Sequence, residues 1–509
     1  MTGVVGCLRL LLRTTWVSVL GWPVVMTVLL WSAAASILDL YPDAAHRELY
    51  AQAVTGSVAT SVFQGRGYDL TTVGGILAQE MGIITLTLFP LVGAHIAVHL
   101  TRSLEDRGHL DIVLAGPVGR FAPVVAGMLA STASAVLVGV LGYLTLLGAE
   151  YPGAGSARYA AALTLLMVWA SSLGLLAGQL ARTSRDAHQL AFGIVLLCYL
   201  VRGFVDVERL DATWSTPMSW LAEVRPFASS PPVWPAVAFA VVAVVLSAAA
   251  LWVTAHRDLG GGVMQPRPGR AEASPVLRGP TALVARLTRA PSLAFLVGGG
   301  VVAFVFGLFA RDMASEGLEA RLVLLVQVNA LLAAAVAVRC ALVTAQEERA
   351  GRTGRVLAAP LSRERWLGSA GLVAAGWSLL MLAWAGLLSG LGLAIALEDD
   401  ARVADGLRDA MSFAAPVLLV GALTVLLGAI SPRLAPLGWV VVVWAAVVAL
   451  RADLLRLSDT ARHLSPLEWM GKVPLETWDR GAAAGMAAVA VALFAVSLVL
   501  LRRRDLVAG

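Results

Sequence analysis

Lysine is almost missing from this sequence: of 38 basic residues only Lys472 is a lysine. A P-loop needs a lysine after an upstream glycine and before a serine or threonine. Gly471-Lys472-Val473 lacks both partners, so the chain has no P-loop for ATP. Charge is scarce as well. Charged residues make up 14% of the chain and apolar residues 58%, whereas a soluble domain carries about a quarter charged residues. So little polar surface excludes a water-soluble fold, and the bilayer must be the solvent. Cysteine is limited to Cys7, Cys198 and Cys340 with no C-x-x-C. That excludes a disulfide framework and a cysteine metal site. No H-E-x-x-H, nucleophile elbow or paired D-x-x-D occurs, so no catalytic residue, cofactor or metal is expected in this chain. The net charge of +5 carries no nucleic-acid signal, and no such partner is expected. Arg9 and Arg13 precede the first apolar run, but no small-residue cleavage site follows. The run therefore reads as a membrane span and not as a signal peptide.

What is present is a series of apolar runs, each near the 20 residues needed to cross about 30 Å of hydrocarbon. They fall at 16–38, 76–100, 122–148, 159–180, 188–206, 234–255, 292–310, 322–345, 367–396, 410–430, 436–450 and 481–501. The fold class this gives is an all-α membrane protein of about 12 transmembrane helices. Trp16, Trp234, Trp252 and Trp366 stand at run ends, where an amphipathic ring suits the headgroup region. With both termini placed in the cytoplasm, inner segments hold 22 of the 38 basic residues and outer segments 14. The positive-inside rule favours that orientation, in a bacterial inner (cell) membrane.

The chain reads as three parts. Residues 1–255 form a first six-helix half with a long external loop at 39–75. Residues 256–290, with Gly260 to Gly262, four prolines and six arginines, read as a flexible cytoplasmic linker. Its stretch Ala282 to Arg289 has the pattern of an interfacial helix or of a plain basic flank. Residues 291–509 form the second six-helix half.

The halves are repeats. Glu105-x-x-Gly108-x4-Val113-Leu114-Ala115-x-Pro117-x-x-Arg120 recurs as Glu348-x-x-Gly351-x4-Val356-Leu357-Ala358-x-Pro360-x-x-Arg363, at an offset of 243. Arg202 pairs with Arg451, and Pro217, Trp220 and Val224 pair with Pro466, Trp469 and Val473. Arg257-Asp258-Leu259 recurs as Arg504-Asp505-Leu506. Four matches in register mean duplication, in parallel and not inverted. The first half carries about 33 extra residues before its second span, the external segment that reads as a solvated loop or a lid. His95 and His99, four apart, share a helix face, as a metal or proton site or as cavity lining.

The repeated segment holds Glu105, Asp106 and Arg107 in one half and Gln346, Glu347, Glu348 and Arg349 in the other. Acidic residues on an arginine-rich face, then a glycine turn, then a short apolar stretch stopped by proline, describe a surface helix held against something. The pattern resembles the permease of an ABC-2-type exporter, in its fused twelve-helix branch of antibiotic and multidrug efflux permeases. The resemblance implies that each segment is a coupling helix gripped by an ATPase. Glu105, Asp106, Gly108, Glu347, Glu348 and Gly351 would then be the coupling residues. It also implies two copies of a separate cytoplasmic ABC ATPase per chain, with ATP and Mg bound there. The expected cargo is a hydrophobic small molecule or lipid. The family's pathway, lined by spans 1, 2 and 5 of each half, makes His95, Tyr199, Gln327, Asn329 and Arg339 candidate lining residues. Helix–helix hydrogen bonding is the other reading of those five. A major-facilitator, proton-coupled multidrug transporter is the rival class. Its loop signature is shifted at Asp106-Arg107-Gly108 and fails in the second half.

Overall fold

The computed structural model describes residues 2–55, 58–258, 260–263, 277–308, 318–451 and 457–504. The regular elements among them are helices. Contacts divide the chain into two units, Met1–Gly269 and Arg270–Gly509.

The first unit runs α1 Val4–Leu40, α2 Ala44–Val54, α3 Val58–Gln64, α4 Val73–Glu80, α5 Gly82–Leu100, α6 Arg102–Asp106, α7 His109–Leu114, α8 Ala122–Gly148, α9 Gly153–Leu180, α10 Ser184–Val207, α11 Pro217–Glu223 and α12 Trp234–His256. The second runs α13 Pro280–Leu308, α14 Leu318–Ala341, α15 Val343–Arg349, α16 Thr353–Leu357, α17 Arg363–Leu397, α18 Ala401–Met411, α19 Ala414–Ile430, α20 Gly438–Arg451, α21 Asp459–His463 and α22 Arg480–Arg503. Among the described residues, eleven helical stretches are long and apolar enough to cross a membrane. The twelfth expected span is α20, whose 14 residues rise only about 21 Å.

Three expectations need correction. Residues 39–75 are not an open loop, because α2 and α3 lie inside them. The Asp43 side chain caps α2 by accepting from the His46 N–H at 3.0 Å, which satisfies an otherwise unpaired helix-end donor. The linker ends earlier than expected, because residues 280–290 form the first turns of α13, in keeping with the helical reading of Ala282 to Arg289, and the helix continues through Pro291. Trp366 is not a headgroup anchor. It is 2% exposed and packs with Val284 and Val343. Trp16, Trp234 and Trp252 are exposed.

Side chains such as Val17, Val28, Val244 and Val491 are exposed along the long helices, the outward apolar surface that lipid covers. In the first unit α5 and α9 are the most buried spans. Their backbones nearly touch: a Cβ on Gly174 would lie 2.5 Å from the Ala94 carbonyl oxygen. Small residues permit this approach, and close packing replaces the hydrophobic drive that lipid cannot supply.

Candidate functional site

Helix α5 does not stop at its end. Thr101 bends it, its Oγ1 donating back to the Ala97 carbonyl at 2.7 Å. The one-turn α6 follows and carries Glu105. The chain then turns at Gly108, whose φ is 72°, and runs into α7. The second unit repeats this turn at Gly351 with φ 67°. In each, the glycine N–H donates to the carbonyl of the motif glutamate, at 2.9 Å for Gly108 to Glu105 and 3.0 Å for Gly351 to Glu348. The left-handed backbone explains the repeated glycine, since a Cβ there crowds the carbonyl.

The repeated glutamates do not face outward. Glu105 is 9% exposed and Glu348 is 5% exposed. Arg257, just past α12, grips Glu105 with two nitrogens, Nη1 to Oε1 at 2.8 Å and Nη2 to Oε2 at 2.6 Å. The Gly260 N–H adds a third donor at 2.8 Å. In the second unit Arg504, just past α22, places Nη2 at 2.7 and 2.6 Å from the two Glu348 oxygens. The last motif residue closes the circuit. Arg120 donates to the carbonyl of Arg257, and Arg363 donates to the carbonyl of Arg504 at 2.7 Å. Two repeated motifs of one half, 152 residues apart in the first unit and 156 in the second, are thus one clamp. It ties the segment after a unit's second span to the end of its last span. In the first unit two guanidinium nitrogens meet two carboxylate oxygens, which fixes orientation as well as distance.

Behind each clamp lies a cleft, of about 430 Å³ in the first unit and about 310 Å³ in the second. The linings correspond position by position: Glu105 with Glu348, Leu114 with Leu357, Val124 with Leu367, Gln179 with Gly428. Gln179 supports the first clamp by accepting from Arg257 Nε at 2.9 Å and from Thr254 at 3.1 Å.

The other proposed coupling residues lie on the outer side. The Asp106 carboxylate sits 3.3 Å from Arg102 Nε and accepts from the Ser184 N–H at the start of α10 at 2.5 Å. Glu347 pairs with the exposed Arg352 at 2.6 Å, and this hydrogen bond raises the Arg352 pKa above its ordinary value. Helix α7 points outward, with Ile112 77% exposed.

Of the five candidate lining residues, His95 and Tyr199 lie in the first unit and Gln327, Asn329 and Arg339 in the second. His95 Nδ1 lies 3.0 Å from His188 Nε2, joining α5 to α10, and its ring stacks on His99 at 5.8 Å. Among the described residues no set of three His, Cys, Asp or Glu side chains is arranged to hold a metal. Tyr199 donates to the Phe63 carbonyl at 3.1 Å. Asn329 is buried in α14 and donates to Ser389 at 3.3 Å. Gln327 and Arg339 are half-buried on the same helix.

Sequence reasoning missed Arg257, Arg504, Arg120 and Arg363 as members of the site. Their signal was present in part: each is an arginine repeated at the same place in both halves, in a chain where charge is scarce.

This helical, multi-pass membrane chain, with the same charged clamp in two repeated units, is similar to ABC-2-type transporters over its first unit and to a multidrug efflux permease over its second. Residues 45–230 match the ABC-2 type transporter profile. Residues 277–502 match the C-terminal domain of the multidrug efflux system permease Rv1217c. Along its whole length the chain is similar to the multidrug efflux system permease protein Rv1217c of Mycobacterium tuberculosis (strain ATCC 25618 / H37Rv). The two are 28% identical over 525 residues, which cover 99% of this chain and 95% of that protein. The match falls on the first of the two transporter classes that the sequence admitted.

Proposed function

We propose that this chain is the membrane permease of an ATP-driven exporter that moves hydrophobic drugs, antibiotics or lipids out of the cell. Two copies of a separate cytoplasmic ABC ATPase drive it, one on each repeated segment, and bind the ATP and Mg. Both chain termini lie in the cytoplasm. The whole-length similarity to a multidrug efflux permease supports this reading. The observation that carries it is the clamp, Glu105 on Arg257 and Glu348 on Arg504. An ATPase gripping the exposed side of α7 or α16 would push on α6 or α15. Those short helices lead directly back into α5 and α14. Through the clamp the same push reaches the end of α12 or α22. Each ATPase would then move the second and last spans of a unit together. In this reading Glu105 and Glu348 transmit force from inside the segment. Asp106, Glu347 and the turn glycines Gly108 and Gly351 shape the outer side.

The test is Glu348→Gln, which keeps the shape and removes the charge. In proteoliposomes of the permease with its ATPase, hydrolysis should continue while drug export falls by about tenfold or more, the loss expected for a charge-assisted contact. Export at the wild-type rate per ATP hydrolysed would refute the coupling assignment.

A further inference from the structure

The far end of α5 holds a second site. Glu105 and Gly82 stand at opposite ends of one helical span, Gly82–Asp106. Around Gly82 the structure has a cleft of about 560 Å³, lined by the inserted segment, α5, α9, α10 and α11. Its apolar wall includes Leu86, Met218 and Phe227. Its charged lining is unbalanced in depth. Arg202, fully buried, places Nη1 3.1 Å from the Asp206 carboxylate, which is 3% exposed. Arg66 Nε lies 3.2 Å from the other oxygen of the same carboxylate. Two guanidiniums therefore share one carboxylate. Arg225 is matched by Glu223 at 2.9 Å, and Asp69, also on the lining, is exposed to water at the rim.

With Asp69 at the rim, the excess positive charge of the inner lining falls on Arg66, whose side chain is 23% exposed. Four donors on the same lining make no hydrogen bond within the protein, the Nε atoms of Arg66, Arg202 and Arg225 and the hydroxyl of Tyr159. The two on the most buried residues are Arg202 Nε and the hydroxyl of Tyr159, a residue only 3% exposed. Buried polar groups of this kind take an acceptor. An apolar wall, one excess positive charge and free donors describe complementarity to an amphiphile with a single negative charge.

We infer that this cleft in the first unit binds a monoanionic amphiphile, its carboxylate or phosphodiester set against Arg66, Arg202 and Tyr159 and its apolar body against Leu86, Met218 and Phe227. The inference stands apart from the coupling reading, since it uses no residue of the clamps. The headgroup chemistry has two sources, a free organic carboxylate or a membrane phospholipid.

Isothermal titration of the purified full chain in maltoside detergent separates them, with decanoate as one probe and dihexanoyl-phosphatidylglycerol as the other. Decyltrimethylammonium is the cationic control. One site per chain is expected for at least one anion and none for the cation. Decanoate binding alone assigns a free carboxylate, phosphatidylglycerol binding alone assigns lipid, and competition between the two assigns the shared chemistry. Arg66→Gln leaves Asp206 paired with Arg202 and removes the excess charge, so affinity should fall about tenfold or more. Tyr159→Phe should weaken binding about fivefold, the worth of one hydrogen bond. If Arg66→Gln does not fold, Tyr159→Phe decides. Absence of binding by both anions, equal binding of the cation, or wild-type affinity in the folded variants would overturn the inference.

Discussion

Among the described residues, the first unit's clamp holds more charges than the second's. Glu105 meets Arg257 and also Arg102, whose Nη1 is 3.3 Å away. Arg102 in turn holds Asp106 and reaches the carbonyls of Arg182 and Gly261. In the second unit Ala345 stands at the position of Arg102, and Arg349 at that of Asp106. The two changes belong together, because Arg102 and Asp106 are paired with each other. What both units keep is the glutamate–arginine pair, the arginine on the carbonyl and the left-handed glycine. The shared part ties a segment to the end of its last span. The addition in the first unit also ties it to the start of α10 and to the stretch after α12. The second unit instead has Glu347–Arg352, a pair inside its own segment.

The largest expected effects come from cutting the clamps. Glu348→Ala strands the half-buried Arg504, and removing one partner of a buried pair costs about 3–5 kcal/mol. Glu105→Ala strands Arg257 and takes one of two carboxylates from Arg102, so it should lower the thermal midpoint of the purified chain further than Glu348→Ala. Equal shifts would erase the distinction between the units. Charge exchange sharpens it. Glu348→Arg with Arg504→Glu should recover much of the loss. The same exchange at Glu105 and Arg257 should not, because the new arginine would face Arg102.

A smaller effect should be the same in both units. Gly108→Ala and Gly351→Ala each force a Cβ into left-handed backbone, at roughly 1–2 kcal/mol. Around Gly108 a Cβ would meet nothing nearer than Asp111 at 3.9 Å, so the cost there is conformational and not steric crowding. Comparable drops in midpoint for the two variants would show that the turn is shared while the charge network is not. A Gly108→Ala variant as stable as wild type would remove the turn from the shared part.

Much of this was legible in the sequence. Scarce charge and long apolar runs gave the membrane fold, and the 243-residue offset gave the repeat. The same repeat marked Glu105, Gly108, Glu348 and Gly351, and the glycine turn follows from the residue type. The partners of the glutamates were not legible as partners. Arg257 is 152 residues from Glu105, and no helical periodicity links positions so far apart. The inserted segment misled for a different reason. Residues 44–54 are polar enough to read as loop, yet Asp43 caps them into a helix and Tyr50 docks it by donating to Glu80 at 2.7 Å. The polar cleft near Gly82 was hidden as well, because Arg66, Tyr159 and Arg202 come from three separate elements.

The smallest effect should come from the pair that belongs to the second unit. Arg352 is 54% exposed at its side chain and its partner Glu347 is 15% exposed. An ion pair with one arm in water is worth at most about 1 kcal/mol and weakens with salt. Arg352→Ala should therefore shift the midpoint little at low ionic strength and less in molar salt. Arg504→Ala, which takes the arginine from the buried Glu348, should keep its large effect in the same salt. That difference separates a pair at the surface of one segment from a clamp that joins two ends of a unit. If Arg352→Ala were as costly as Arg504→Ala, or as indifferent to salt, the second unit would have a second buried tie after all. Its segment would then be as strongly cross-linked as the first.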